Sequence, residues 1–355
     1  MTRIGLCPAC GAARKVTKLH IWMPNGTILD KGNPEHRMVF IESDSLRDTF
    51  AGIERIMGIS IEHIIIESQR RSTFESVNIE LPALVKALTR WTGTGPIARY
   101  IAAGGRHNGL GDIQLVDFHR RRGKDDYIVL RISEPYSLPH FCGNFAGAME
   151  AIDGREISVT YEEIAPGEYE LTAHISSHAV EFRERLQRKV PRFKQGDIEL
   201  ERCATCGGPQ VLSNYAWRLE RGVIENRESK RRMVFIGTAA QEAIVDELIR
   251  ELGDSITQAA IEAQRELVAS GFFSSGEIRE VTDFRDQFAY RGLGNLREIE
   301  LEEDHMHFRL ENPCLHYMVV GLVQGLYESA FGVRSEVEWE ITGDGDLVVD
   351  VRSTG

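Results

Sequence analysis

The stretch Arg37-Met38-Val39-Phe40-Ile41 returns as Arg232-Met233-Val234-Phe235-Ile236, 195 residues further on. A short apolar run of this kind reads as a buried strand, and its return points to a chain written twice. The same offset of 195 pairs Trp22 with Trp217, Gly58 with Gly253, Ile66-Glu67 with Ile261-Glu262 and Gln69-Arg70 with Gln264-Arg265. Further along, Gly109-Leu110-Gly111-Asp112-Ile113 resembles Gly292-Leu293-Gly294-Asn295-Leu296 at an offset of 183. Pro135, Gly143, Gly147 and Gly154 then match Pro313, Gly321, Gly325 and Gly332 at 178. The matches keep one order, and the offset only shrinks, through extra length in the first copy. An ordered series of this kind reads as a tandem duplication.

Each copy reads the same way. Short strands are expected at Val16 to Trp22 and Thr27 to Leu29, joined by the turn Pro24-Asn25-Gly26, followed by a strand at Met38 to Ile41. Asp44 or Ser45 is placed to cap a helix whose apolar positions Leu46, Phe50, Ile53 and Met57 keep helical spacing and which ends at Gly58. A second helix is expected from Ile59 to about Arg71. In copy two Ile244, Val245, Leu248 and Leu252 repeat the stripe before Gly253. A Gly-rich loop then leads to a hairpin, about Asp112 to Phe118 with Tyr127 to Ile132, and Leu296 to Leu301 with His305 to Leu310. A helix follows, Leu138 to Ile152 and Leu315 to Phe331. Its Gly143/Gly147 and Gly321/Gly325 spacing costs helix stability, roughly 1 kcal/mol per glycine against alanine, so another backbone is expected to pack closely there. A closing hairpin ends each unit, around Ile157 to Glu163 with Tyr169 to His174, and Val337 to Ile341 with Leu347 to Val351. Residues 1–176 form the first copy, 177–199 a helical linker with a charged helix at Ala179 to Val190, and 200–355 the second copy.

The chemistry-bearing motif is Cys7-Pro8-Ala9-Cys10-Gly11, repeated as Cys203-Ala204-Thr205-Cys206-Gly207. Thiolates three positions apart can face one ion, and the glycine permits the turn that aims amides at the sulfurs. One knuckle supplies two ligands, whereas structural zinc takes four. If the copies pair about a pseudo-twofold axis, Cys7, Cys10, Cys203 and Cys206 build one shared zinc site; iron is the alternative ion. Two separate sites, each completed by a group such as His20, and a redox dithiol are the other readings. The redox reading is weakened because neither knuckle reads as opening a helix.

In the last third of each copy, a Pro, a helix with Gly-x-x-x-Gly, a Gly-ended turn and a final hairpin follow one another. In copy two these are Pro313-Cys314, Gly321-Leu322-Val323-Gln324-Gly325-Leu326, Gly332 and Leu347-Val348-Val349-Asp350-Val351. In copy one they are Pro135, Gly143-Asn144-Phe145-Ala146-Gly147 and Gly154. This pattern resembles the 4-vinyl reductase-like, or hydrocarbon-binding, domain over roughly residues 95–176 and 281–352. The resemblance implies an α+β fold, pairing of two such domains, and an enclosed pocket for a small hydrophobic molecule or a tetrapyrrole. It also implies a sensory or accessory module rather than a catalyst. Many relatives carry cysteines in the final hairpin; this chain has none there, so the knuckles are a separate feature.

At 355 residues, with 42% hydrophobic and 27% charged residues, the chain has the size of about two globular domains. A net charge of −12 argues against nucleic acid as a partner. The basic clusters Arg120-Arg121-Arg122 and Lys230-Arg231-Arg232 read as solvated turns or strand ends. No segment approaches a membrane span, and the N-terminus lacks the apolar core of a secretory signal, so a cytoplasmic location is expected. Six cysteines in such a chain do not make a disulfide framework.

Other candidates carry bland readings. Cys142 and Cys314 occupy non-equivalent positions and read as buried thiols. His305-x-His307 and His140 with Cys142 could bind metal, but polar alternation in a strand explains the former as well. Glu67, Gln69 and Arg70, with Glu262, Gln264 and Arg265, read as a solvated or copy-to-copy helix face. Trp22 and Trp217 read as core. Gly109-Leu110-Gly111 lacks the third glycine of a dinucleotide loop and precedes a strand, and no catalytic residue is assigned. The expectation is two tandem α+β copies of a mixed helix and antiparallel-hairpin domain, an internal pseudo-dimer that can be a monomer in solution. It holds structural zinc and binds a small apolar molecule for sensing, carriage or assembly. An enzyme or enzyme subunit acting on a tetrapyrrole or other reducible substrate, and a structural adaptor docking a protein partner, are the alternatives.

Overall fold

The computed structural model describes residues 5–81, 95–119, 123–177, 192–272 and 281–354. The charged helix expected at Ala179 to Val190 and the cluster Arg120-Arg121-Arg122 lie outside these residues. Residues 192–199 are described and carry no helix. They run as an irregular strap pinned by Ile198 N–H donating to Pro24 O and Lys194 N–H donating to Asn312 Oδ1.

The first half contains helix α1 (Arg14–Leu19), strands β1 (His20–Trp22), β2 (Ile28–Asp30) and β3 (Arg37–Glu42), then helices α2 (Ser43–Met57), α3 (Glu62–Glu80) and α4 (Gly95–Asn108). Hairpin β4 (Asp112–His119) and β5 (Tyr127–Ser133), helix α5 (Leu138–Asp153), and hairpin β6 (Ile157–Ala165) and β7 (Glu168–Ile175) complete it. The second half has a 3-10 turn (Gln210–Asn214), β8 (Tyr215–Arg218), β9 (Val223–Asn226) and β10 (Arg232–Gly237). Helices α6 (Thr238–Leu252), α7 (Ser255–Leu267) and α8 (Val281–Arg291) follow, then β11 (Asn295–Leu301), β12 (His305–Glu311), α9 (His316–Phe331), β13 (Ser335–Ile341) and β14 (Leu347–Ser353). The fold is α+β, and the order of elements after residue 200 parallels that of the first half.

Three sheets result. Two have four strands, in the orders β4-β5-β7-β6 and β11-β12-β14-β13, one from each half. The third takes three strands from each half, in the order β1-β2-β3-β10-β9-β8. Its seam is the antiparallel pair β3–β10, in which Phe40 opposes Phe235, Val39 opposes Ile236 and Ile41 opposes Val234. β3 is buried along its length, as a strand covered on both faces must be.

Contacts across the seam come in matching pairs. Trp22 Nε1 donates to Tyr290 O at 2.9 Å, and Trp217 Nε1 donates to His107 O at 3.2 Å. Arg37 donates to the carbonyls of Gly292, Asn312 and Pro313, and Arg232 to that of Gly109. Backbone also meets backbone: a Cβ on Gly26 would lie 2.1 Å from Gly294 O, and one on Gly222 would lie 1.9 Å from Gly111 O. Each half therefore lays its first strands and their turn against the Gly-rich loop of the other. α2 packs on α7 and α3 on α6, so the helices cross the seam too. One core cluster runs through both halves, and a second gathers the cysteines with Trp22, Phe40, Tyr215, Trp217 and Phe235.

The close approach expected at the Gly-x-x-x-Gly helices is present. A Cβ on Gly143 would come within 2.5 Å of Ile66 O and one on Gly147 within 2.0 Å of Arg70 O, both on α3. Gly321 and Gly325 stand in the same relation to Ile261 O, at 2.3 Å, and Arg265 O, at 2.9 Å.

Four local expectations need correction. Residues 14–19 are helix rather than strand, because the chain leaving the knuckle turns to bury Val16 and Thr17. The cap expected from Asp44 or Ser45 is absent: α2 starts at Ser43 directly off β3, and Ser45 Oγ faces Gln264 Oε1 instead. α3 runs on to Glu80, past the expected Arg71, because it continues along α5. Helix α4 precedes the Gly-rich loop where none was assigned, its Gly104 and Gly105 masking helical propensity.

Candidate metal centre and ligand cavity

The two knuckles meet. Cys7 Sγ lies 3.8 Å from Cys203 Sγ and Cys10 Sγ lies 3.6 Å from Cys206 Sγ, with all four sulfurs within 4.8 Å of one another. These separations are far beyond the ~2.05 Å of a disulfide. Four sulfurs at ~2.3 Å from one ion in a tetrahedron lie ~3.8 Å apart, so the set has the dimensions of a four-thiolate metal site. Each knuckle closes the same way: Gly11 N–H donates to Cys7 O at 2.9 Å and Gly207 N–H to Cys203 O at 2.8 Å. Gly11 and Gly207 sit at φ of 76° and 73°, the left-handed region where glycine is unstrained.

The electrostatics divide the four sulfurs into two kinds. Amides of Cys206 and Thr205 pull the Cys203 thiol down to about 6. At Cys7, burial pushes upward, but the amides of Cys10 and Ala9 and neighbouring thiols outweigh it and the thiol is lowered. Burial raises Cys10 and Cys206. A thiolate is the ligand form, so the set can shed protons in exchange for a cation. The first knuckle does lead into a helix, α1, contrary to the sequence expectation. That helix begins at Arg14, beyond the turn, while the amides facing the sulfurs belong to the knuckles themselves.

His20 is not a member of the cluster. Its Nδ1 faces Val16 O at 2.9 Å, its ring stacks on Phe235, and burial lowers its pKa. His140 is also buried, held by Ser137 Oγ at 2.7 Å and Gln241 Oε1 at 2.8 Å, and burial takes it down to about 4. Cys142 and Cys314 are free buried thiols pushed up to about 12 by burial. His307 pairs with Asp350 at 2.9 Å, and half-buried His305 sits beside the exposed Asp304. Glu302, Asp304 and His305 lie near one another as a surface group.

The repeated polar face is structural. Arg70 bridges Glu67 and the buried Glu150, and Arg265 bridges Glu262 and Glu328. Gln69 Oε1 accepts from Gln241 of the second half, while Gln264 Oε1 accepts from Ser45 and Thr49 of the first.

The resemblance implies an apolar pocket, but the sequence names neither its place nor its lining. A cavity of about 200 Å³ lies in the first half between α3, α4, α5 and the face of β4–β5. Ile101, Ile128, Leu130, Phe141, Phe145 and Met149 make it apolar, and Ala102, Gly104, Gly105 and Ala148 leave the space open. Thr73, Asn108, Asn144 and Lys15 supply its polar groups, and Lys15 stands five residues beyond Cys10. Asn144 is held in place: its Oδ1 accepts from Gln69 and Thr73, and its Nδ2 donates to Tyr136 Oη at 3.0 Å. An apolar chamber with a few placed polar groups is the usual form of a small-molecule site.

Among the described residues no helix is long and apolar enough to cross a membrane. The chain matches no protein-family model and no curated protein. Solved structures overlap parts of it. The phenol-responsive sensory domain of the transcription activator PoxR with phenol shares 11% identity over 45% of this chain and 87% of its own, with a TM-score of 0.34. An H-NOX structure concerned with activation shares 14% over 34% and 75%, with a TM-score of 0.26. A mutant H-NOX from T. Tengcongensis shares 13% over 34% and 75%, with a TM-score of 0.24. Overlaps this partial carry no functional weight.

Proposed function

We propose that the chain is a non-catalytic binding protein for a small apolar molecule, built from two tandem copies of a 4-vinyl reductase-like domain clasped together by structural zinc. The observation that carries the binding role is the first-half cavity, apolar on most of its wall, with Asn144 and Thr73 fixed by their own hydrogen bonds. Among the described residues, its polar lining offers amide, hydroxyl and ammonium groups but no carboxylate, imidazole or thiol. That set suits recognition and holding better than acid–base or nucleophilic chemistry. At about 200 Å³ the space is smaller than the ~300–1,000 Å³ of sites for drug-sized ligands. This favours a compact molecule over a tetrapyrrole.

The tandem reading is supported by the seam, where Trp22 and Trp217, Arg37 and Arg232, and Gly26 and Gly222 make paired contacts. Zinc is supported by four sulfurs at tetrahedral spacing, two from each half. One ion shared in this way would join the two halves directly, in addition to the chain that links them. Its role is structural, because four protein ligands leave no open coordination position.

Native mass spectrometry of the purified chain tests both parts. One zinc and one small organic molecule per chain are expected. A chain carrying no metal sinks the clasp, and a chain that neither retains nor takes up any apolar molecule sinks the binding role.

A further inference from the structure

The two halves differ where the cavity lies. β4 and β11 start at an offset of 183, and the boundaries of β5 and β12 and of α5 and α9 coincide at 178. At these offsets Gly105 corresponds to Phe288, Leu130 to Phe308 and Ala148 to Leu326, gains that outweigh the change of Phe141 to Val319 and Phe145 to Val323. Phe288 and Phe308 are buried, and their rings pack with centroids 5.4 Å apart.

The polar wall changes with the volume. Asn144 and Tyr136, the hydrogen-bonded pair behind the cavity, correspond to Leu322 and Cys314. Thr73, which also holds Asn144, corresponds to Val268 at the offset of 195. Polar side chains in an apolar core are costly unless they have something to bond. Asn144, Tyr136 and Thr73 sit beside the open volume and give way to Leu, Cys and Val where it is filled, whereas Asn108 corresponds to the charged Arg291.

We infer that, among the described residues, the apolar ligand site of the first half has no open counterpart in the second, because Phe288 and Phe308 hold there the volume a ligand takes in the first. This rests on the cavity being the ligand site. The second half is then a permanently filled counterpart, and the ligand acts as the missing part of the first half's core. A core with a hole is less stable than a filled one, and a ligand that binds only the folded chain stabilises it. Occupancy is thereby reported as the stability of one half against a fixed partner.

The probe is benzene, which apolar cavities of ~150 Å³ admit, followed by NMR titration and thermal melting of the full chain. The wild type is expected to bind one benzene per chain, with shifts at Ala148 and Met149 and none at Phe308. Leu130→Phe with Ala148→Leu, copying the second half, is expected to abolish binding and raise the melting temperature. Phe288→Ala with Phe308→Leu, which opens the second half toward the Gly105 and Leu130 of the first, is expected to add a second equivalent of benzene.

Two equivalents bound by the wild type overturn the inference, as does a folded Phe288→Ala/Phe308→Leu chain that still binds one. If that variant does not fold, retained binding by Leu130→Phe/Ala148→Leu overturns it instead. A wild type that binds no benzene and gains none of its stability counts against the cavity as a ligand site. In that case a raised melting temperature of the filled variant still supports the correspondence of the two volumes.

Discussion

Phe40 and Phe235 stack with ring centroids 4.4 Å apart and planes 18° from parallel, directly opposite each other where β3 meets β10. They are equivalent residues of the repeated stretch, so each half meets its own counterpart at the centre of the six-stranded sheet. Phe40 also packs on Tyr215 and Trp217, which ties the seam to the knuckle-side core.

That stack sets the first expectation. Phe40→Ala or Phe235→Ala should each cost about 3–5 kcal/mol, the range for emptying a core aromatic site. Because the rings touch, the double variant should lose less than the sum of the two, with a coupling of about 0.5–1.5 kcal/mol. Urea melts of the four chains measure this, and strict additivity would show that the stack is incidental.

Metal content separates one shared site from two. Cys7→Ser should take the chain from one zinc to none, because three thiolates and a hydroxyl hold the ion far less well. The melting temperature should fall as well, since metal binding to a folded site is folding free energy. Elemental analysis alongside the melt decides it; a fall from two ions to one would mean that each knuckle binds separately.

Close helix packing should make Gly147 intolerant. Gly147→Ala drives a Cβ into Arg70 O and should destabilise by about 1–3 kcal/mol. Gly343→Ala, where nothing lies within 4 Å, should be close to neutral. Equal effects of the two substitutions in denaturant melts would contradict the packing argument.

His140 makes stability depend on pH with a definite sign. Burial among Phe50, Tyr136, Ser137 and Gln241 holds its pKa at about 4, below the unfolded value of about 6.5. Its contribution is therefore present in full above pH ~6.5, shrinks as pH falls, and is lost through pH ~4. At lower pH that loss amounts to about 3 kcal/mol. His140→Met, which copies Met318 in the second half, should remove that part of the acid sensitivity. Melting curves between pH 7.5 and 4 that stay parallel for the two chains would rule the group out as the cause.

Several features were legible without coordinates because they depend on local rules. The alternating and helical apolar patterns located both closing hairpins, the Gly58-ended helix and the Gly-x-x-x-Gly helices, as nearest-neighbour geometry dictates. The recurrence of Arg37 to Ile41 at Arg232 to Ile236 marked the strands that form the seam. The knuckles were legible as paired ligands, since C-x-x-C-G spacing is itself a geometric statement.

Other features needed the tertiary structure. Whether Cys7 and Cys10 reach Cys203 and Cys206 depends on how β3 and β10 pair, and nothing local to either knuckle sets that. Helix α4 was hidden because its glycines lower propensity, and packing against β4 overrides that preference. The cavity was hidden for a related reason. Gly105, Leu130 and Ala148 are far apart in the chain, and an empty volume is a property of what several elements fail to fill together. The sequence alone determined the recurring Arg37 to Ile41 strand motif and the two C-x-x-C-G pairs of thiols. The tertiary structure decided that the thiols converge and that one half stays open where the other is full, because both follow from distances between segments that local pattern does not constrain.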